Sequence, residues 1–168
     1  VVNDRLKVST GIEDYLRHST LDFMPYQYTL DYNIFGAHAD AQLRVMPKVF
    51  VNLSARAELM RTRWQLMPRA TLSYIPNKQW QVSLVAGRYS QTPNDDQLAQ
   101  SDYTLGQSTA DHLILSMQYK GTSSLLRIEP YYKRYRHLPL WQQNQWQAEG
   151  YGTSKGVDIY VEDHSISP

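Results

Sequence analysis

Five histidines, His18, His38, His112, His137 and His164, are the residues best able to hold a metal or move a proton near neutral pH. No two of them stand in an H-x3-H or H-E-x-x-H spacing, so each is expected to be solvated or to face a water-filled interior. Asn94-Asp95-Asp96, after Pro93, offers carboxylate oxygens for Ca2+, but Asx-turn chemistry accounts for the triplet without an ion. Asp158 with Glu162, and Arg127 with Glu129, supply the close charges that paired-carboxylate chemistry requires. Such residues are equally at home on the wet inner wall of a large barrel. The absence of cysteine excludes thiolate sites and cysteine nucleophiles, and there is no G-x-S-x-G, phosphate-cradling loop or dinucleotide fingerprint. No catalytic residue, metal site or cofactor is expected.

The remaining candidates are aromatic. Tyr26, Tyr28, Trp64, Tyr103, Trp141 and Trp146 fall in predicted connections, where exposed rings can stack on sugars, aromatic ligands or a partner protein. Loop self-packing or an interfacial aromatic belt would use the same residues. Trp141 and Trp146, set in LWQQNQWQ, form the strongest pair. The chain carries 13 Tyr and 4 Trp against 3 Phe, a bias toward amphipathic rings that suits a water–lipid boundary. Its net charge of +1 gives no electrostatic footprint for nucleic acid.

These residues must be positioned by strands. From Thr109 to Tyr135, Leu113, Leu115, Met117 and Tyr119 alternate with Ile114, Ser116, Gln118 and Lys120. The turn Gly121-Thr122-Ser123 follows, and alternation resumes through Leu126, Ile128 and Tyr132. Period two on both sides of a short turn predicts an antiparallel hairpin. Further strands are predicted over 5–19, 34–45, 49–59, 69–74, 80–89 and 156–162, making about eight without a convincing helix. Residues 20–32, 61–67, 90–108 and 136–153 read as connections, with short turns at 46–48, 75–78 and 121–123. In the strand over 80–89, Arg88 would continue the apolar face, and a bulge near Gly87 is expected to restore the phase.

No run of the sequence is apolar for the ~18 residues of a transmembrane helix, but each arm has about the 9–11 residues of a tilted transmembrane strand. All the short turns fall at one end of the strands, and aromatics gather near strand ends. Both features describe an outer-membrane barrel with periplasmic turns and extracellular loops. Leu113, Leu115, Met117, Leu126 and Ile128 are then expected to face lipid. Arg56, Glu58, Arg127, Glu129, Lys133, Asp158 and Glu162 are expected to face the lumen.

Four segments in order carry a family resemblance: Trp64-Gln-Leu-Met-Pro-Arg-Ala70, Gly87-Arg-Tyr-Ser-Gln-Thr-Pro93, Ser124-Leu-Leu-Arg-Ile-Glu-Pro-Tyr-Tyr-Lys-Arg-Tyr135 with His137-Leu-Pro139, and Gly150-Tyr-Gly-Thr-Ser-Lys-Gly-Val-Asp-Ile-Tyr160. Over residues 33–163 the chain resembles the barrels of TonB-dependent outer-membrane receptors. The resemblance implies a ligand-gated importer of the Gram-negative outer membrane, with a plug domain inside about 22 strands. It implies uptake of a siderophore-, vitamin-, glycan- or peptide-like ligand and a pull from an energy-transducing inner-membrane complex. Membrane lipid, the plug and the remaining strands are the other implied partners.

No plug or energy-coupling box is evident between Val1 and Pro168, so residues 1–168 are expected to form a single partial barrel domain: an all-β, antiparallel up-and-down meander, a sector of a larger barrel. Pro130 departs from the family pattern and puts the regularity of its strand in doubt. A complete eight-stranded barrel acting as an adhesin or structural protein, and a soluble ligand- or protein-binding β-domain, are the alternatives. Pairing of the first strand with the last would favour the former.

Overall fold

A computed structural model of the chain describes residues 5–23 and 26–163. It is one antiparallel sheet of eight strands in chain order: β1 (Leu6–Phe23), β2 (Tyr26–Met46), β3 (Val49–Met60), β4 (Arg63–Tyr74), β5 (Trp80–Gln91), β6 (Ser108–Lys120), β7 (Ser124–Gln142) and β8 (Gln145–Asp163). β1 and β8 are the edges, and among the described residues they do not pair with each other.

The register turns the period-two pattern into two chemically distinct faces. Leu6, Leu43, Val51, Leu72, Leu84 and Leu115 are successive partners across six strands. One residue along, Lys7, Gln42, Asn52 and Thr71 make the corresponding row on the other face. The apolar face has no protein layer over it: Ile12, Leu16, Leu53, Leu66, Ile159 and Val161 are all exposed. Such a surface on one side of a sheet calls for an apolar medium or a partner.

The buried core lies on the polar face. Leu30, Met60, Leu98, Ala99 and Leu105 form it, with Leu21, Tyr28, Tyr32, Ile34, Tyr103, Trp146 and Ala148 packed around them. Leu98 and Ala99 come from a six-residue helix, α1 (Asp95–Gln100), in the β5–β6 connection. The Asn94-Asp95-Asp96 triplet opens this helix: the Asn94 N–H donates to Gln97 Oε1 at 3.1 Å, and the two aspartates occupy the first turn, where the helix dipole favours them.

Several expectations are corrected here. Residues 20–32 are not a loop, because β1 and β2 remain in register to Phe23↔Tyr26. Residues 61–67 contain only a two-residue turn, Arg61-Thr62, before β4 begins. The segment 136–153 is likewise a hairpin, closed by Gln143-Asn144. Both turn residues there are left-handed, with φ of 50° and 63°, as a two-residue type I′ turn requires. Of the predicted long connections between described strands, only that between β5 and β6 remains a loop, and it contains a helix where none was expected. One end of the sheet is therefore extended by long hairpins rather than by irregular loops.

The bulge expected near Gly87 is also absent. β5 and β6 pair without a shift from Trp80↔Tyr119 to Gln91↔Ser108, and Arg88 stands opposite Asp111 on the apolar face. Register shifts fall instead at Arg44/Met46 and across Arg136, Leu138 and Leu140, and two gaps in the ladders coincide with proline. β4 pairs with β3 through Ala55↔Pro68, but its ladder to β5 stops at Arg69↔Gly87. β7 pairs with β8 through Pro130↔Val157, whereas its pairing with β6 skips from Ile114↔Tyr131 to Met117↔Ile128. In each case the proline nitrogen has no hydrogen to donate to the strand where pairing fails.

Candidate functional site

At the end of the sheet opposite the turns at 46–48, 75–78 and 121–123, α1 is held against the polar face by groups from several elements. The Asp95 carboxylate accepts from Arg17 at 2.7 Å, Ser19 at 2.7 Å and Tyr32 at 3.4 Å. Burial pushes its pKa upward, but the Ser19 and Arg17 hydrogen bonds outweigh this, and it lies below its ordinary value. Trp146 Nε1 donates to Gln100 Oε1 at 3.1 Å from the opposite edge of the sheet. Below the helix, Gln107 donates to Glu58 at 2.9 Å and to Thr92 at 3.3 Å. These bonds tie the loop to the wall at both edges of the sheet.

Beside this loop lies a cleft of about 670 Å³ between the β3–β4 turn, residues 103–107, His137 and Ala148. Arg61 and Arg63 line it, and among the described residues no carboxylate does. Neither arginine has an ion-pair partner among the described residues. The Arg61 guanidinium lies over the Tyr103 ring at 4.4 Å. Tyr103 is fixed in turn: its hydroxyl donates to the Thr29 carbonyl at 3.3 Å and accepts from the Asp31 N–H at 3.2 Å. This arrangement offers positive charge and an anchored aromatic ring to an anionic ligand.

The predicted ligand aromatics are scattered relative to this cleft. Tyr103 lines it. Trp141 and Trp146 face each other across the β7–β8 hairpin, ring centres 5.4 Å apart and nearly edge-on, with Trp146 packed on the core and Trp141 half exposed. Tyr28 packs on the core. Tyr26 starts β2, and its side chain lies outside the described residues. Trp64 also borders the cleft, but its register with Leu59 puts it on the apolar face.

Arg56, Glu58, Arg127, Glu129, Lys133, Asp158 and Glu162 occupy register positions of the face that carries α1. Arg56 bridges Glu13 and Glu58 at 2.7 Å each, with His38 3.3 Å from Glu13. Arg127 lies 3.7 Å from Glu129 and over the Tyr160 ring, and Lys133 lies over Tyr131. Glu129 and Asp158 are cross-strand neighbours, while Glu162 accepts from Tyr160 at 2.9 Å. His18 contacts Asp31 at 2.5 Å, His112 stacks on Tyr89, and His164 lies outside the described residues. Among the described residues no three His, Cys, Asp or Glu side chains gather as a metal site.

The sequence reading missed Arg61, Arg63 and Gln107. The Arg-Thr-Arg triplet around a two-residue turn was the available signal, obscured because 61–67 read as one undifferentiated connection.

Comparison with known proteins gives a consistent picture. Residues 7–164 match the family model described as TonB dependent receptor-like, beta-barrel. No curated protein matches the chain. Among solved structures, it is similar to the siderophore receptor PirA from Pseudomonas aeruginosa, at 14% identity over 92% of this chain and 32% of that one, with a TM-score of 0.75. It is similar to the FrpB iron transporter from Neisseria meningitidis, at 11% identity over 98% of this chain and 32% of that one, with a TM-score of 0.78. The ferric enterobactin receptor PfeA from P. aeruginosa, as a G324V mutant, matches at 13% identity over 82% of this chain and 25% of that one, with a TM-score of 0.69. The chain spans about a third or less of the length of these structures.

Proposed function

The chain belongs to the β-barrel family of TonB-dependent receptors, and from that premise we propose that it forms part of the wall and outer vestibule of an importer for an anionic, siderophore-like chelate. Its place is the Gram-negative outer membrane, with the apolar face toward lipid. The face carrying α1 lines the lumen, and Arg56, Glu58, Arg127, Glu129, Lys133, Asp158 and Glu162 are its wetted charges. A plug domain and the remaining strands complete the receptor, and an inner-membrane complex supplies the energy. This sector binds and shapes; it catalyses nothing.

The observation that carries the ligand class is the cleft whose two arginines have, among the described residues, no ion-pair partner and no carboxylate beside them. An anion entering it meets two guanidinium forks and the Tyr103 ring, whereas a neutral glycan would leave both charges without a counter-ion. The matched receptors whose names mention siderophores or ferric enterobactin are consistent with this choice.

The test is equilibrium binding to the purified parent receptor, using a ferric tris-catecholate, a ferric hydroxycarboxylate, cobalamin and a neutral oligosaccharide. A negatively charged chelate should bind best, and R61A/R63A should weaken it by roughly a hundredfold, about 1.4 kcal/mol per guanidinium. Preference for the neutral oligosaccharide, indifferent to both substitutions, would overturn the reading.

A further inference from the structure

Arg88, Asp111 and Arg134 are successive cross-strand partners, in line with the lipid-facing residues of β5, β6 and β7. The row beneath them is Ala86, Leu113, Tyr132 and Lys155, and lipid-facing positions lower still include Leu84, Leu115, Ile128 and Ile159, none of these four charged. Charge therefore appears within two adjacent rows, Lys155 in the lower and Arg88, Asp111 and Arg134 in the upper. Arg88 is eight residues from the start of β5 at Trp80 (88 − 80), Asp111 nine from the end of β6 at Lys120 (120 − 111), and Arg134 ten from the start of β7 at Ser124 (134 − 124). Since about 9–11 tilted residues cross a bilayer, the cluster lies at the outer headgroup level.

Its internal pairing leaves positive charge over. Asp111 is already engaged by Arg88 at 2.7 Å and 3.3 Å and by Arg136 at 3.0 Å. Arg134, directly across from Asp111, has no ion-pair partner among the described residues. Arg134 and Arg136 also line a groove of about 700 Å³ with Tyr132, Glu149, Tyr151 and Thr153. An uncompensated guanidinium beside hydrocarbon is costly, and a phosphate matches its fork with two parallel hydrogen bonds.

We propose that Arg134 and Arg136, in the tyrosine-flanked groove of β7 and β8, bind the phosphate of a lipid headgroup in the outer leaflet. The lipid's acyl chains then lie down the uncharged wall beneath Tyr132, a continuity that favours a lipid over a soluble phosphate. Arg134 stands on the opposite sheet face from Arg63 of the ligand cleft, with His137 and Ala148 lining both hollows, and the proposal rests only on the membrane placement of the wall.

The experiment reconstitutes the parent receptor in phosphatidylcholine vesicles doped with a bisphosphorylated glucosamine lipid, then counts lipid retained after detergent extraction by native mass spectrometry. Parallel arms use the dephosphorylated lipid and competing inorganic phosphate. Wild type should retain the phosphorylated lipid in preference. R134Q/R136Q should retain roughly tenfold less, and D111N, which removes the competing carboxylate, should retain more. Opposite shifts from two charge changes at neighbouring positions separate a binding site from a folding defect. Equal retention of the dephosphorylated lipid, or equal retention by R134Q/R136Q and wild type, overturns the proposal. So does complete displacement by inorganic phosphate at equal headgroup concentration. Heat-modifiable migration and protease access, read on the same samples, report insertion of the wall. An inserted wall that retains no lipid sinks only this site; a wall that fails to insert sinks the membrane placement.

Discussion

The guanidinium of Arg61 lies over the ring of Tyr103 at 4.4 Å, and both residues hold left-handed backbone, with φ of 57° and 60°. Left-handed conformation costs a non-glycine residue roughly 1–2 kcal/mol. Two such residues in contact at a cleft point to a conformation kept for what the side chains meet. Arg61→Gly should therefore stabilise the β3–β4 hairpin by about 1 kcal/mol, seen as slower amide exchange near the turn. The same change should weaken anionic ligand about tenfold by removing one guanidinium. A variant that loses stability and keeps its affinity would show that Arg61 serves the turn alone.

Asp95→Asn should loosen α1 without disturbing the barrel. It replaces a carboxylate bonded to Arg17, Ser19 and Tyr32 with a neutral amide. Allowing for the exposure of Arg17, the loss is about 1 kcal/mol, read as faster exchange over residues 95–100. The pH dependence has a definite sign. Because the folded pKa of Asp95 is depressed, its contribution is present in full above the ordinary carboxyl value of 3.8 and is lost as acid titrates below it. Helix protection should be flat from neutral to mildly acidic pH and fall only beyond; a midpoint near neutrality would assign the effect to another group.

Leu98→Ala tests the apolar half of the same attachment. Leu98 is fully buried against Leu30 and Met60, and such truncations cost about 2–5 kcal/mol. Here the cost should appear as local opening of residues 92–107, with strand protection in the membrane region unchanged. Simultaneous loss of protection in β3 and β6 would mean that loop and wall unfold as one unit.

Pro130→Ala should close the gap between β6 and β7. The ladder to β8 runs unbroken through Pro130, so the missing donor faces β6 near Leu115 and Ser116. One recovered backbone hydrogen bond is worth about 0.5–1.5 kcal/mol. The measurement is the urea midpoint of the refolded receptor together with exchange at residue 130. A lowered midpoint would show that the gap relieves strain.

The wall was legible in the sequence because the residues of its uncovered apolar face alternate strictly: Val51, Leu53, Ala55 and Ala57 could lie on only one face. That signal faded toward the end of the sheet that carries α1. Leu21, Tyr28 and Leu30 turn inward to cover α1, so apolar residues no longer mark the lipid side, and regular strand read as loop. α1 itself is too short for a helical period to show. Arg88 looked like a phase error because a charge on the lipid side seemed to need a bulge, whereas cross-strand pairing to Asp111 keeps it there. The arginine cleft joins a turn, a loop and a hairpin that are far apart in sequence, and no spacing rule reaches across them.

The tips of the extended hairpins are two-residue turns, Arg61-Thr62 and Gln143-Asn144, rather than long free segments. Ordering a flexible backbone costs roughly 1–2 kcal/mol per residue. With β7, β8 and the β5–β6 connection already tied together through Trp146 and Gln100, little of that disorder remains to be removed when a ligand arrives. Capture should then resemble entry into a rigid cup, with a small entropic penalty and selectivity resting on the shape and charge of the guest, not on its power to gather loops around itself.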